Sequence, residues 1–179
     1  MNTETTRIHR TVSVLLAGLL LPVLTHAAAL WPSVKYGMSV PQVVVVLPQS
    51  KQASGQRKLF SGAIEMLSID NVSLVGKTFT ARLFFSDGLL VQVLLSPPEW
   101  DSNQKNIVVF EELTRAFSAK YGRDFDRSVS ARASGLSASA EWIKDGENVF
   151  ISVIPVTQET SMLKVGFRPV SQIPPRSRK

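Results

Sequence analysis

The sequence predicts an α+β fold, with one antiparallel sheet of about six strands and two helices on one face. Three observations carry this. Two segments have helical spacing and open on capping residues, three strand-like runs follow each of them, and compact Asp-Gly turns join strands in both sets. The chain reads helix–β–β–β, then helix–β–β–β again. Helices gathered on one side of an antiparallel sheet bury the apolar faces of both. No residue-level identity marks a repeat, so the duplication is an inference from element order.

The first 29 residues have the form of a secretory signal peptide. Arg7 and Arg10 supply the charged start, Val12–Leu24 a short apolar run broken by Pro22, and Thr25-His26-Ala27-Ala28-Ala29 the small-residue end. The run is shorter than the ~20 residues of a spanning helix, so cleavage is expected over anchoring. His9 and His26 leave with this segment, and the chain has no cysteine. Residues 30–170 are expected to form a single α+β domain, and 171–179 a basic flexible tail. Losing Arg7, Arg10 and Glu4 takes the net charge from +6 to +5.

A domain with neither imidazole nor thiol is excluded from Ser-His-Asp and Cys-His catalysis, His-ligated zinc, iron–sulfur clusters and disulfides. A periplasmic or secreted location follows from the leader, with no transmembrane segment after cleavage. The basic residues are scattered except in the tail, so no nucleic-acid partner is expected.

Within the domain, Ser39 and Gln42 form a capping-box pattern, with Pro41 in the first turn of a short helix through Val43–Leu47. Gln49–Lys58 reads as a loop. Strands are predicted over Ile64–Ile69, Lys77–Phe85 and Leu89–Ser96, the last two joined at Ser86-Asp87-Gly88. Asp101 and Gln104 repeat the capping pattern. The helix after them places Val109, Phe110, Leu113, Ala116, Phe117 and Tyr121 on its apolar side and stops at Gly122. Strands follow over Ser137–Lys144, Asn148–Val156 and Met162–Val170.

The opening Gly37-Met38-Ser39-Val40-Pro41-Gln42-Val43 resembles the Gly-Met-Ser/Thr-x-x-Gln/Glu-Val helix start of small bacterial envelope proteins, the SmpA/BamE-like assembly lipoproteins among them. The resemblance covers about a dozen residues, much of which helix capping alone would produce. It implies a bacterial periplasmic α+β module and transfers no functional residue. The chain lacks the lipid-attachment cysteine of those lipoproteins and carries a second helix-plus-sheet half.

Short catalytic motifs fail on context. Gly76-Lys77-Thr78 has Asn71 where a phosphate-binding loop needs glycine, and it enters a strand. Ser102-x-x-Lys105 and Ser86-Asp87 stand in the wrong order for a penicillin-recognition site. The carboxylate pairs Glu99/Asp101, Glu111/Glu112 and Asp124/Asp126 read as surface groups, Trp100 as a pin for the connection before the second helix, and Trp142 as core. No catalytic, cofactor-binding or metal-ligating set is expected.

The sheet face away from the helices is the more suggestive feature. In the expected registers it carries Thr78, Thr80, Arg82, Phe84, Leu90, Gln92, Leu94, Phe150, Ser152, Ile154, Lys164 and Arg168, a mixture in which aromatic and aliphatic residues break the polar alternation. Arg82, Phe84, Gln92, Phe150, Ser152, Lys164 and Arg168 are the candidate interaction residues. A loop, the tail or a second copy of the chain would cover such a patch. The function expected is a non-enzymatic interaction module of the envelope (assembly factor, inhibitor or immunity-type binder), partnered by another envelope or secreted protein. The alternative is a small secreted hydrolase using carboxylates or a Ser-Lys dyad. Arg82→Glu with Phe84→Ala is expected to abolish partner capture without unfolding.

Overall fold

The computed structural model describes residues 33–173 except Gln56, Phe125, Ala133 and Ser134. The expected signal peptide, Trp31 and the last six residues of the tail lie outside the described residues.

Helix α1 spans Val40–Val46. Gln42 Oε1 accepts the Ser39 N–H at 2.8 Å, the reach-back half of the expected capping box. Strands β1 (Lys51–Gln52), β2 (Ile64–Leu74), β3 (Lys77–Ser86) and β4 (Leu89–Ser96) follow. Then come β5 (Asp101–Ser102), helix α2 (Asn103–Tyr121), and strands β6 (Asp126–Arg132), β7 (Gly135–Lys144), β8 (Glu147–Pro155) and β9 (Thr160–Pro169). A 3₁₀ turn at Val170–Gln172 ends the described chain, where the tail was expected to begin. Among the described residues no helix is long and apolar enough to cross a membrane.

The fold is α+β, with an antiparallel sheet of nine strands where about six were expected. Its order is β1-β2-β3-β4-β9-β8-β7-β6, and β5 pairs with β9 at the side. The three additions are two-residue strands and one long edge strand. Part of the expected loop Gln49–Lys58 is β1, and β6 runs through residues read as loop. Its Ser, Arg and Asp residues have weak strand preference, and the strand exists through its pairing with β7. The serines there form rungs, Ser128 to Ser139 at 2.9 Å and Ser130 to Ser137 at 2.8 Å.

Among the described residues, three two-residue hairpin loops set registers. Asp87-Gly88 and Asp145-Gly146 have both residues at positive φ, as type I′ turns require, and Val75-Gly76 does the same with valine at φ 45°. A β-branched residue there is strained.

One face of the sheet holds the core. Leu67 and Ile69 of β2, Phe79, Ala81, Leu83 and Phe85 of β3, and Val93 and Leu95 of β4 meet Val149, Ile151, Val153, Leu163 and Val165 of β8 and β9. Val43 of α1 and Phe110, Leu113 and Phe117 of α2 pack into the same cluster, so both helices lie on this face. Trp142 is buried as expected and donates its indole N–H to Gly122 O at 3.1 Å.

Helix α2 starts one residue away from the expected cap: Ser102 is the N-cap and accepts from the Lys105 N–H at 3.3 Å, while Asp101 belongs to β5. Buried Asn103 and Asn106 tie this end to the sheet, donating to Gln158 O at 2.6 Å and Ser161 O at 2.9 Å. Their burial turns the helix so that Ala116, expected inside, is exposed.

A bulge in β4 corrects one face assignment. Phe84 pairs with Gln92 and Phe85 with Leu90, so Val91 is the extra residue. Leu90, expected on the open face, is turned into the core. A second irregularity at Met66 places Glu65 opposite Phe84 on the open face.

Candidate functional site

The face away from the helices carries all seven candidate residues, and the structure sorts them into two groups. Arg82, Phe84 and Lys164 line a cleft of about 380 Å³. Gln92, Phe150, Ser152 and Arg168 lie outside it, three of them on β8 and β9.

The cleft floor comes from strand alternation. Arg82 and Phe84 project from β3, Leu94 and Ser96 from β4, and Met162 and Lys164 from β9, all at non-core positions. The walls come from two connections. On one side the chain before β2 folds back: the Glu65 N–H donates to Arg57 O and the Leu59 N–H to Ala63 O, each at 2.9 Å. This lays Arg57, Lys58 and Leu59 beside Phe84, which is only 3% exposed. On the other side stand Pro97, Pro98, Glu99 and Trp100. Trp100, expected to pin a connection, is 64% exposed and lines this wall instead. Phe60, at the tip of the Leu59–Gly62 turn, is fully exposed.

Charge at the cleft is arranged around Glu65, whose side chain is 4% exposed. Arg57 Nη1 approaches its carboxylate at 3.4 Å and Arg82 Nε at 3.7 Å. Arg82 Nη1 also donates to Ser96 Oγ, while its buried Nε has no hydrogen-bond acceptor. Burial, with Arg57 nearby, pulls Arg82 below the ordinary guanidinium value, and Glu65 opposes the shift. A guanidinium starts so high that Arg82 remains cationic. One carboxylate thus serves two cations. Lys58 and Lys164 add two more positive charges against Glu99.

In the second group, Phe150 and Arg168 pack on each other and on the sheet. Phe150 lies over Gly166, its register partner on β9: a Cβ there would collide with the outer end of the ring, 2.7 Å from Cε2 and closer still to Cζ and Cε1. The Arg168 guanidinium lies over the same ring, 4.6 Å from its centroid, and donates from Nε to Asn148 Oδ1 at 2.8 Å. Ser152 pairs in register with Lys164 and Ser139.

Two of the carboxylates paired in the sequence are held by basic partners. Asp101 is engaged by the Ser102 N–H and Lys105, which hold its carboxyl below the usual range. Glu111 accepts from Arg127 at 2.6 and 2.7 Å and clips β6 to α2. Among the described residues no group of three or more His, Cys, Asp or Glu could hold a metal ion.

The sequence reasoning missed Arg57, Lys58, Glu65 and Trp100. Pro97-Pro98 next to Trp100 was a local signal for a rigid aromatic wall. Nothing local marked Arg57 and Lys58, which reach the site only through pairing with the start of β2.

The fold and site define an α+β protein with an open antiparallel sheet and a cationic, aromatic-walled cleft on the face away from its helices. Comparisons with protein-family models, curated proteins and solved structures gave no match.

Proposed function

We propose that this chain is an exported, non-enzymatic interaction module of the bacterial envelope, working through the sheet face opposite its helices and partnered by another envelope or secreted protein. The cleft on that face supports the reading most directly. It groups Arg82 and Trp100, residue types enriched at binding hot spots, over the buried Phe84 in a concave, partly desolvated setting. The signal-peptide pattern of residues 1–29 supports export, and the Gly37–Val43 helix start supports an envelope setting. The element order, with a four-strand antiparallel run after each helix (one strand more than the expected helix–β–β–β) and the last strands of the two runs, β4 and β9, joined side by side, supports a doubled helix-and-sheet unit.

The burial of Phe84 changes the useful test. Phe84→Ala would open a cavity beside the core, so it cannot separate binding from folding. A photoreactive residue at Trp100 or Ser152 is the better probe, with one at exposed Ala119 on α2 as the control. Cross-links to one discrete envelope protein are expected from the sheet-face positions and not from Ala119. Equal cross-linking from Ala119, or none from either sheet position, would overturn the proposal.

A further inference from the structure

We propose that the cleft binds a single-chain anionic amphiphile, with a carboxylate-type head among Arg57, Lys58, Arg82 and Lys164 and an apolar body against Phe84, Leu94 and Trp100. The inference rests on the reading that the sheet face away from the helices is the working surface, and it adds the chemistry that face selects.

Three features select this ligand class. Arg57, Lys58, Arg82 and Lys164 face Glu65 and Glu99, an excess of two positive charges around an apolar floor. An anion is attracted there, and a charged head without an apolar body would leave that floor wet. The volume of about 380 Å³ falls at the small end of the range for small-molecule sites.

The walls also disfavour an extended peptide. Recognition of a strand needs free main-chain donors and acceptors. Pro97 and Pro98 have no N–H, and the Leu59 N–H is already bonded to Ala63 O. A membrane surface is disfavoured by depth, because the Arg82 side chain is only 18% exposed. A flat layer of headgroups would meet Lys58 and Lys164 and stop short of it. A free ligand can enter.

The test is isothermal titration of the purified protein with dodecanoate below its micelle concentration. One saturable site is expected, and dodecyltrimethylammonium, with the same chain and the opposite charge, is expected to give none. Arg82→Gln should weaken dodecanoate by about tenfold, the size of one lost charge-assisted hydrogen bond. Lys164→Gln should weaken it severalfold, and provides the answer if Arg82→Gln fails to fold. Equal binding of the two amphiphiles, or unchanged affinity in Lys164→Gln, would overturn the proposal. So would binding to phosphatidylglycerol vesicles with none of monomeric dodecanoate. Saturable dodecanoate binding without any cross-linked protein would refute the protein-partner reading alone, so the two failures are distinguishable.

Discussion

Gly166 sits in the middle of β9 with no positive φ to explain it, and the Phe150 ring lies where its side chain would be. Replacing it with alanine sets two effects against each other. Alanine in a strand interior recovers about 0.5–1 kcal/mol of the backbone entropy that glycine costs. The new methyl, however, collides with the outer end of the Phe150 ring, which has to swing away from the sheet. Overpacking of this kind costs about 1–3 kcal/mol. The ring also leaves Arg168, 4.6 Å from its centroid, at a further cost of about 0.5–1 kcal/mol. Gly166→Ala should therefore destabilise the protein by about 2 kcal/mol, about 1 M in urea midpoint at an m-value of ~2 kcal/mol/M. With Phe150→Ala as background the obstacle is gone, and the same change should be neutral or stabilising. Urea unfolding of the four proteins in the cycle gives the coupling energy, expected near ~3 kcal/mol. If Gly166→Ala has the same effect in both backgrounds, the ring does not explain the glycine.

Three further outcomes are expected. Val75→Asn should stabilise by about 1 kcal/mol, since asparagine accepts the φ of 45° that strains valine in this hairpin turn; an unchanged or lower urea midpoint would refute the strain. Glu65→Ala strips the mostly buried Arg82 of its carboxylate and should cost roughly 2 kcal/mol, less than a fully buried pair because Arg82 keeps some solvent contact; adding Arg82→Met should recover part of it, and additive losses would show that the two do not interact. Glu147, which accepts from the Tyr36 hydroxyl at 2.7 Å, has its carboxyl raised by burial, with Tyr36 and Lys120 opposing. The folded protein holds that proton more tightly than the unfolded one, so this stabilising contribution is present below the ordinary carboxylate value and fades as pH rises through the raised one. Glu147→Gln should gain on wild type by a fraction of a kcal/mol between about pH 4 and about pH 8, and parallel urea midpoints would count against it.

What the sequence disclosed follows from how local each cause is. Asp87-Gly88 marked its hairpin because a type I′ turn depends on two residues, and the alternation of Phe79, Ala81, Leu83 and Phe85 marked a core-facing strand because burial has period two. The bulge at Val91 left no local trace, so Leu90 was assigned to the wrong face. Strand β6 was hidden for a related reason: its serines and arginines carry little strand preference, and their order comes from β7. Within the cleft, Arg82, Phe84 and Lys164 were legible from register alone. Arg57 and Lys58 were not, since a backward fold onto Ala63 and Glu65 brings them there.

The pairing of β4 with β9 joins Leu95 to Val165 and Val93 to Phe167, positions about 70 residues apart along the chain. The β2–β3, β3–β4 and β7–β8 pairings close across two-residue turns and can form while the rest of the chain is open. Loop-closure entropy therefore falls mainly on this one seam, which makes its zipping the expected bottleneck of folding. Because Arg82 and Leu94 lie on one side of the seam and Met162 and Lys164 on the other, the cleft exists only once that late step is complete. A chain stalled before it would hold locally formed hairpins and have no binding site.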